Sequence, residues 1–186
     1  MGPLVYATNV SLDGYIEDAT GAFDWSQPGE DVHAFYNEFM DRVGIQLLGR
    51  RIYETMAVWE TDPSFAERSP ILSAFAAAWQ DSDKVVVSTT LAEPITARTR
   101  IVRTFDVDEV RRLKASTSAD LGVSGAELAG HAFRAGLVDV VSIMVFPVVV
   151  GAGKTAFAAD LRLDLELIEQ RPFSNGVVHL TYRVAR

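Results

Sequence analysis

The chain has 186 residues, of which 48% are hydrophobic and 23% charged, the balance of a soluble globular protein with enough apolar mass for one substantial core. Its net charge of −8, with no run of lysine or arginine longer than two, argues against nucleic-acid partners, and no apolar stretch approaches the ~20 residues of a membrane span. Cysteine is absent, which excludes disulfides, thiolate catalysis and Cys-based metal sites; with no secretory leader visible at the N-terminus, a cytoplasmic protein is expected.

Taken in order, VYATNVSL (5–12) reads as a first strand running into Asp13-Gly14, followed by a loop through residues 21–30. The spacing of Val32, Phe35, Phe39 and Val43 predicts a helix over 31–44 that ends at a glycine. A short buried strand, IQLLG (45–49), leads directly into a helix over 50–56, and ILSAFAAAW (71–79) is again helical. Strands follow at 83–91 and 99–105, then a helix over 106–116 with Asp106 as N-cap. ADLGVSG (119–125) is strand and turn, and a helix over 126–136 closes at Gly136. LVDVVSIMVFPVVV (137–150) reads as a strand interrupted by proline. The runs 161–169 and 177–185 alternate around Ser174-Asn175-Gly176, the signature of an antiparallel hairpin. Strands alternating with helices through residue 136 predict an α/β fold with a mainly parallel sheet, in a single domain over 1–186.

In open α/β sheets ligands gather beyond the carboxyl ends of the strands. Three strand–turn–helix junctions carry suitable atoms there: Gly49-Arg50-Arg51, the hydroxyl run Ser88-Thr89-Thr90, and Val123-Ser124-Gly125 leading into Ala126. Arginine and hydroxyls without a nearby acid suit a phosphate better than a ribose diol, and small residues let a pyrophosphate approach backbone N–H groups. A solvated surface pair of arginines and two ordinary polar turns are the competing readings. Together the three junctions predict a phosphorylated dinucleotide spread over several strand ends.

A different nucleotide signal, PVVVGAGKT (147–155), fails on context. A phosphate-binding loop needs glycine where Val148 stands, and the dinucleotide pattern matched by GAGKTA needs a following helix and parallel strand, whereas a hairpin follows. His33, His131 and His179 lack metal-ligand spacing, so no metal is expected.

The pieces NVSLDGYIED (9–18), FDW (23–25), LLGRRIYETM (47–56), VVVSTTL (85–91) and VSGAELAGHAFRAGLVDVVSIMVFPVVVGAGKTAF (123–157), with the terminal hairpin, occur in the order and over the extent seen in one group of proteins. The chain resembles the dihydrofolate reductase-like superfamily, in particular the bacterial group that includes the reductase domain of riboflavin biosynthesis. The resemblance implies a mixed, mainly parallel sheet of about eight strands flanked by helices, NADPH as cofactor, and a homodimer. By position it places Gly49, Arg50 and Arg51 with Ser88 and Thr89 at the 2′-phosphate. Ser124, Gly125 and Ala126 fall at the pyrophosphate, and Asn9 and Ile16 beside the nicotinamide. It makes PVVVGAGKTAF (147–157) a late strand and glycine turn. Ile52 stands where members often have threonine, and Ser124 replaces the first glycine of a Gly-Gly turn. Ala7 and GRRIYETM depart from the riboflavin-pathway pattern.

The function implied is hydride transfer from NADPH to a C=N or C=O of a small, pterin- or flavin-precursor-like heterocycle, with Trp25 over the substrate. Asp13, Glu30 and Asp31 are the candidates for the proton-supplying catalytic group, against the plainer readings of an Asx turn and of acids at a helix start. The alternative is a non-catalytic sensor that binds NADP(H) or another small ligand on the same scaffold.

Overall fold

The computed structural model describes residues 1–185. Its frame is an eight-stranded, mainly parallel sheet. The central strand β1 (Leu4–Ser11) pairs in parallel with β6 (Asp120–Ser124) on one side and β7 (Val140–Phe146) on the other. Beyond β6 lie β3 (Val43–Gly49), β4 (Asp83–Val87) and β5 (Thr99–Val102), all parallel. Beyond β7 the hairpin β9 (Leu165–Pro172) and β10 (Val178–Val184) runs antiparallel, turning through Gly176 at φ 84°.

Helices cover both faces. On one, α1 (Glu30–Met40), α2 (Arg50–Met56), the single turns α3 (Val58–Thr61) and α4 (Pro63–Ala66), and α5 (Pro70–Asp81) enclose Leu48, Tyr53, Phe75, Trp79 and Val86. On the other, α6 (Val107–Ser116) and α7 (Ala126–Arg134) pack over Leu47, Leu121, Val123 and Val141. Asp106 caps α6 as expected, accepting from the N–H groups of Asp108 and Glu109. A buried Lys114–Asp139 pair ties the end of α6 to the segment before β7, and Asp139 also accepts from the Leu4 N–H, so the lysine is compensated where it is desolvated.

Four local expectations are corrected. The first helix stops at Met40, and Val43, placed on its apolar face by spacing, opens β3 opposite Asp120. A β-branched residue with a ladder partner gains more there than in a fraying last turn. Residues 148–150 form no strand after Pro147, because proline lacks the N–H that would continue the ladder. The hairpin's first strand begins at Leu165 rather than Leu161, which together with Leu163 packs on the core instead. Finally, Tyr15–Asp18 (β2) pairs antiparallel with Gly153–Thr155 (β8) in a separate two-stranded sheet, so GKT is a strand.

Candidate active site

The sheet register aligns the three junctions. Gly49 of β3 stands opposite Val87 of β4, Leu48 opposite Ser124 of β6, and Val87 opposite Val102 of β5. Gly49, Ser88, Arg103 and Ser124 therefore share one edge, at the carboxyl ends of four adjacent parallel strands. Next to them β1 pairs with β6 only as far as Tyr6, but with β7 as far as Ser11. Past Tyr6 the two strands part. The chain leaving β1 passes to the α1 face and the chain leaving β6 to the α7 face, so this opening is the topological switch point where open α/β sheets hold ligands.

The far end of this edge is cationic. Arg50 projects from the start of α2, with Nε donating to Glu54 at 2.8 Å and Nη1 to Thr90 Oγ1 at 2.7 Å. Arg103 donates to the carbonyls of Ser88 (3.0 Å) and Leu91 (2.6 Å), wrapping the same turn from the other side. Ser88 is buried, and its hydroxyl accepts from the N–H groups of Thr90 and Leu91, so it shapes the turn while Thr89 and Thr90 are exposed.

At the middle, Gly125 adopts φ 100° and serves as N-cap of α7, a conformation that a residue with Cβ rarely takes. A Cβ built there would lie 3.7 Å from the Gly49 nitrogen and 3.7 Å from Ile52 Cγ2. Those are ordinary van der Waals distances, so the positive φ rather than a clash is what calls for glycine between the β3 and β6 turns. Ser124 is half-buried beside it and Ala126 opens the helix.

The near end is formed by the β1–β2 loop. Asn9 is half-buried, and its side-chain oxygen accepts from the Tyr36 hydroxyl of α1 at 2.8 Å. The β2–β8 ladder slips between Tyr15 and Glu17, which leaves Ile16 out of the pairing. Trp25, on a single 3-10 turn (Asp24–Ser26), packs edge-on to Phe146, and its buried Nε1 has no protein partner.

Asp13 accepts from Ser11 Oγ (2.7 Å), Gly151 N (2.8 Å) and Val150 N (3.2 Å). These bonds, the Ser11 hydroxyl first, hold its carboxyl below the usual range. Asp31 accepts from the Ser174 N–H at 2.9 Å, the main reason that its carboxyl too is depressed. Glu30 and Asp31 line a shallow hollow of about 380 Å³ with Ala34, Ile71 and Ser174. That hollow lies at the hairpin turn and the start of α1.

A family model described as "RibD C-terminal domain" matches residues 3–179. The chain belongs to the RibD C-terminal domain family. A Bacillus subtilis (strain 168) protein, YyaP, is 27% identical over 180 residues, covering 93% of this chain and 90% of its own. Two solved structures align over nearly their whole lengths. A Shewanella sp. PV-4 protein assigned to riboflavin biosynthesis has a TM-score of 0.77 at 23% identity, covering 99% of each chain. Dihydrofolate reductase from Enterococcus faecalis, complexed with NADP(H), has a TM-score of 0.65 at 13% identity, covering 100% of this chain and 98% of its own. At these identities the structures establish the fold.

Within this RibD C-terminal domain, sequence reasoning missed Arg103, Tyr36 and Lys154. Arg103 follows the fourth parallel strand, and its place at a carboxyl end was the available signal. Tyr36 carries no local signal within the helical segment, and Lys154 lies in the segment that the resemblance makes a glycine turn.

Proposed function

We propose that the protein is an NADPH-dependent reductase acting on a C=N or C=O in a small heterocycle. The observation that carries this reading is the register that lines up Gly49, Ser88, Arg103 and Ser124 beside the opening between β1 and β6. It makes a line of strand ends that is cationic at one end and flanked by aromatic side chains at the other. The donor set fits the cofactor. Arg50 and Arg103, with Thr89 and Thr90, supply cations and hydroxyls for a 2′-phosphate. Ser124, Gly125 and Ala126 offer backbone groups at the start of α7, where Gly125 takes a positive φ. Asn9 and the unpaired Ile16 would offer backbone groups to a carboxamide, and Arg51 is held at 3.3 Å by Glu17, on the same β2 segment as Ile16. The cofactor, when bound, supplies the hydride. Two relatives bear on this by name: the Enterococcus faecalis reductase is complexed with NADP(H), and Acinetobacter baumannii RibD shares the fold at a TM-score of 0.70, this chain spanning 58% of its length.

The proton is assigned to water rather than to Asp13 or Asp31. A general acid at neutral pH needs a raised carboxyl pKa, and the bonds on Asp13 and Asp31 act in the opposite direction. The β1–β2 loop keeps Asp13 as a clamp, and Trp25 walls the substrate side. The same lack of a raised carboxyl in this loop favours the second reading, a sensor that binds NADP(H) without turnover. The two separate by experiment. Melting is followed with NADPH and with NADH, then NADPH oxidation is followed with pterins, flavin precursors and quinones. A shift larger for NADPH, with turnover of one heterocycle, supports the reductase; a shift without turnover of any leaves the NADP(H) sensor; no shift with either nucleotide ends the reductase and leaves only a sensor of another small ligand.

A homodimer in the cytoplasm is part of the same reading. Edge strand β9 supports the dimer, since Leu165, Leu167 and Ile168 are 39%, 51% and 49% exposed on a strand that has one neighbour. Antiparallel pairing of two β9 strands centred between Ile168 and Glu169 would set Glu166 against Arg171 of the second copy. No described helix is long and apolar enough to cross a membrane.

A further inference from the structure

Lys154 belongs to a motif that fails as a phosphate-binding loop, yet the fold carries it to the amino end of α7. It sits in β8 opposite Glu17 of β2. The preceding Gly153 has φ 145°, and a Cβ there would fall 1.9 Å from the Glu17 carbonyl oxygen, so glycine is what permits the two strands to meet. From this position Lys154 Nζ donates to Glu127 Oε1 at 2.8 Å. Glu127 lies in the first turn of α7, two residues after the Gly125 cap. On the other side of the ladder Glu17 accepts from Arg51. Two cations and two carboxylates, drawn from β2, β8, α2 and α7, thus stand around one helix end and sum to zero charge.

The carboxylate of Glu127 is held below its ordinary range, first by the Lys154 hydrogen bond and further by the field of Arg51. A first-turn acid is also favoured by the helix dipole, the same field that would attract a ligand phosphate. Glu127 is therefore an internal anion at a place where an external one would bind. Its side chain is 85% exposed, so it can swing away at little cost, whereas Lys154, at 28%, is held by its strand.

We propose that Lys154 is the cation for the bridging phosphates of the dinucleotide, and that Glu127 is a built-in competitor which occupies it in the free protein. This rests on the cofactor reading above. Binding exchanges one partner of Lys154 for another: the ammonium leaves the Glu127 carboxylate and takes a phosphate oxygen. Affinity is held down by the carboxylate it must displace. Removing the competitor tightens binding, and removing the lysine weakens it.

The test is direct binding of NADPH, followed by fluorescence or calorimetry at several salt concentrations, with adenosine 2′-monophosphate as a probe that lacks the bridging phosphates. Glu127→Gln is expected to lower the Kd for NADPH roughly threefold to fivefold. Lys154→Met should raise it about tenfold and flatten its salt dependence, because one charge-assisted contact is lost. In the Lys154→Met background, Glu127→Gln should have a smaller effect. Adenosine 2′-monophosphate, held at the Arg50 end, should be bound equally by all variants. If wild type binds NADPH in a manner that depends on Arg50 while neither substitution moves its Kd, the inference is wrong and the cofactor site stands. If neither NADPH nor the monophosphate binds any variant, the cofactor reading itself has failed, and the inference with it.

Discussion

Arg50 and Thr90 are 40 positions apart in sequence, yet Nη1 of the arginine lies 2.7 Å from the threonine Oγ1 across the ends of two adjacent strands. That contact joins two junctions that the chain presents separately, and Arg103 closes the turn from behind. On the proposed reading, a guanidinium already positioned by Thr90 and Glu54 would take a phosphate without first having to be ordered.

The first prediction concerns this cluster. Arg50→Ala should weaken NADPH binding by roughly one to two orders of magnitude and leave NADH binding nearly unchanged, since a charge-assisted contact to phosphate is worth ~1.5–3 kcal/mol. Arg103→Ala should act in the same direction, with an added loss of order in the 88–91 turn. Equal losses for both nucleotides would remove the 2′-phosphate assignment.

Asp13 carries the second. Its carboxylate joins the β1–β2 loop to Val150 and Gly151, while Leu12 N donates to the Val148 carbonyl at 2.7 Å and Ala156 N to that of Gly14 at 3.0 Å. In Asp13→Ala, amide hydrogen exchange should accelerate at Val150, Gly151 and Tyr15, the last of which donates to Ser11 Oγ. The pH–rate profile of any reductase activity should keep its shape. Loss of one limb of that profile, without change in exchange, would return Asp13 to the chemistry.

His179 sets a pH dependence of stability. Its ring is 2% exposed, with Nε2 on Ser142 Oγ at 2.8 Å, Nδ1 without a partner and Phe35 at 4.2 Å between centroids. Burial lowers its pKa to about 4, opposed by Glu169 and assisted by Arg171 and Arg42. The unfolded chain titrates near the ordinary value of 6.5 and so binds the proton more readily than the native state. The stabilising effect of a neutral ring is thus complete above about pH 6.5 and is lost as pH falls toward 4, a change of roughly 2 kcal/mol once the shift is discounted for screening. Urea unfolding of His179→Gln should show a shallower loss than wild type across that window; parallel curves would refute the assignment.

The fourth tests β9. Wild type should sediment as a dimer at micromolar concentration, and Leu167→Lys as a monomer with its far-ultraviolet circular dichroism unchanged, because the exposed edge contributes little to the monomer's core. A monomeric wild type would end the proposal.

Much of this was legible in advance. The strand and helix order, the Asp106 cap and the Asn-Gly hairpin followed from local spacing, because period and capping are set by residues within a few positions of one another. The two-stranded sheet was not. YIED and GKT are four and three residues long, too short to display a period, and each is a strand only because the other lies beside it. Arg103 and Lys154 were hidden for a related reason: a lone basic residue after a strand or a glycine looks like solvated surface until its neighbours in space are known.

By itself, then, the sequence determined which segments would be extended or helical and which turns would hold glycine, arginine and hydroxyls at strand ends. Alternation, capping and backbone sterics are local and leave their mark in the chain. Only the tertiary structure decided that β3 lies between β4 and β6, that β1 parts from β6 past Tyr6, and that Lys154 meets Glu127. Strand order and register follow from burying the apolar faces of many segments together, a collective term that no short stretch records. It also decided the protonation of Asp13: the same Asp-Gly turn could hold a raised or a depressed carboxyl, and the amides of Val150 and Gly151 with the Ser11 hydroxyl make it the latter.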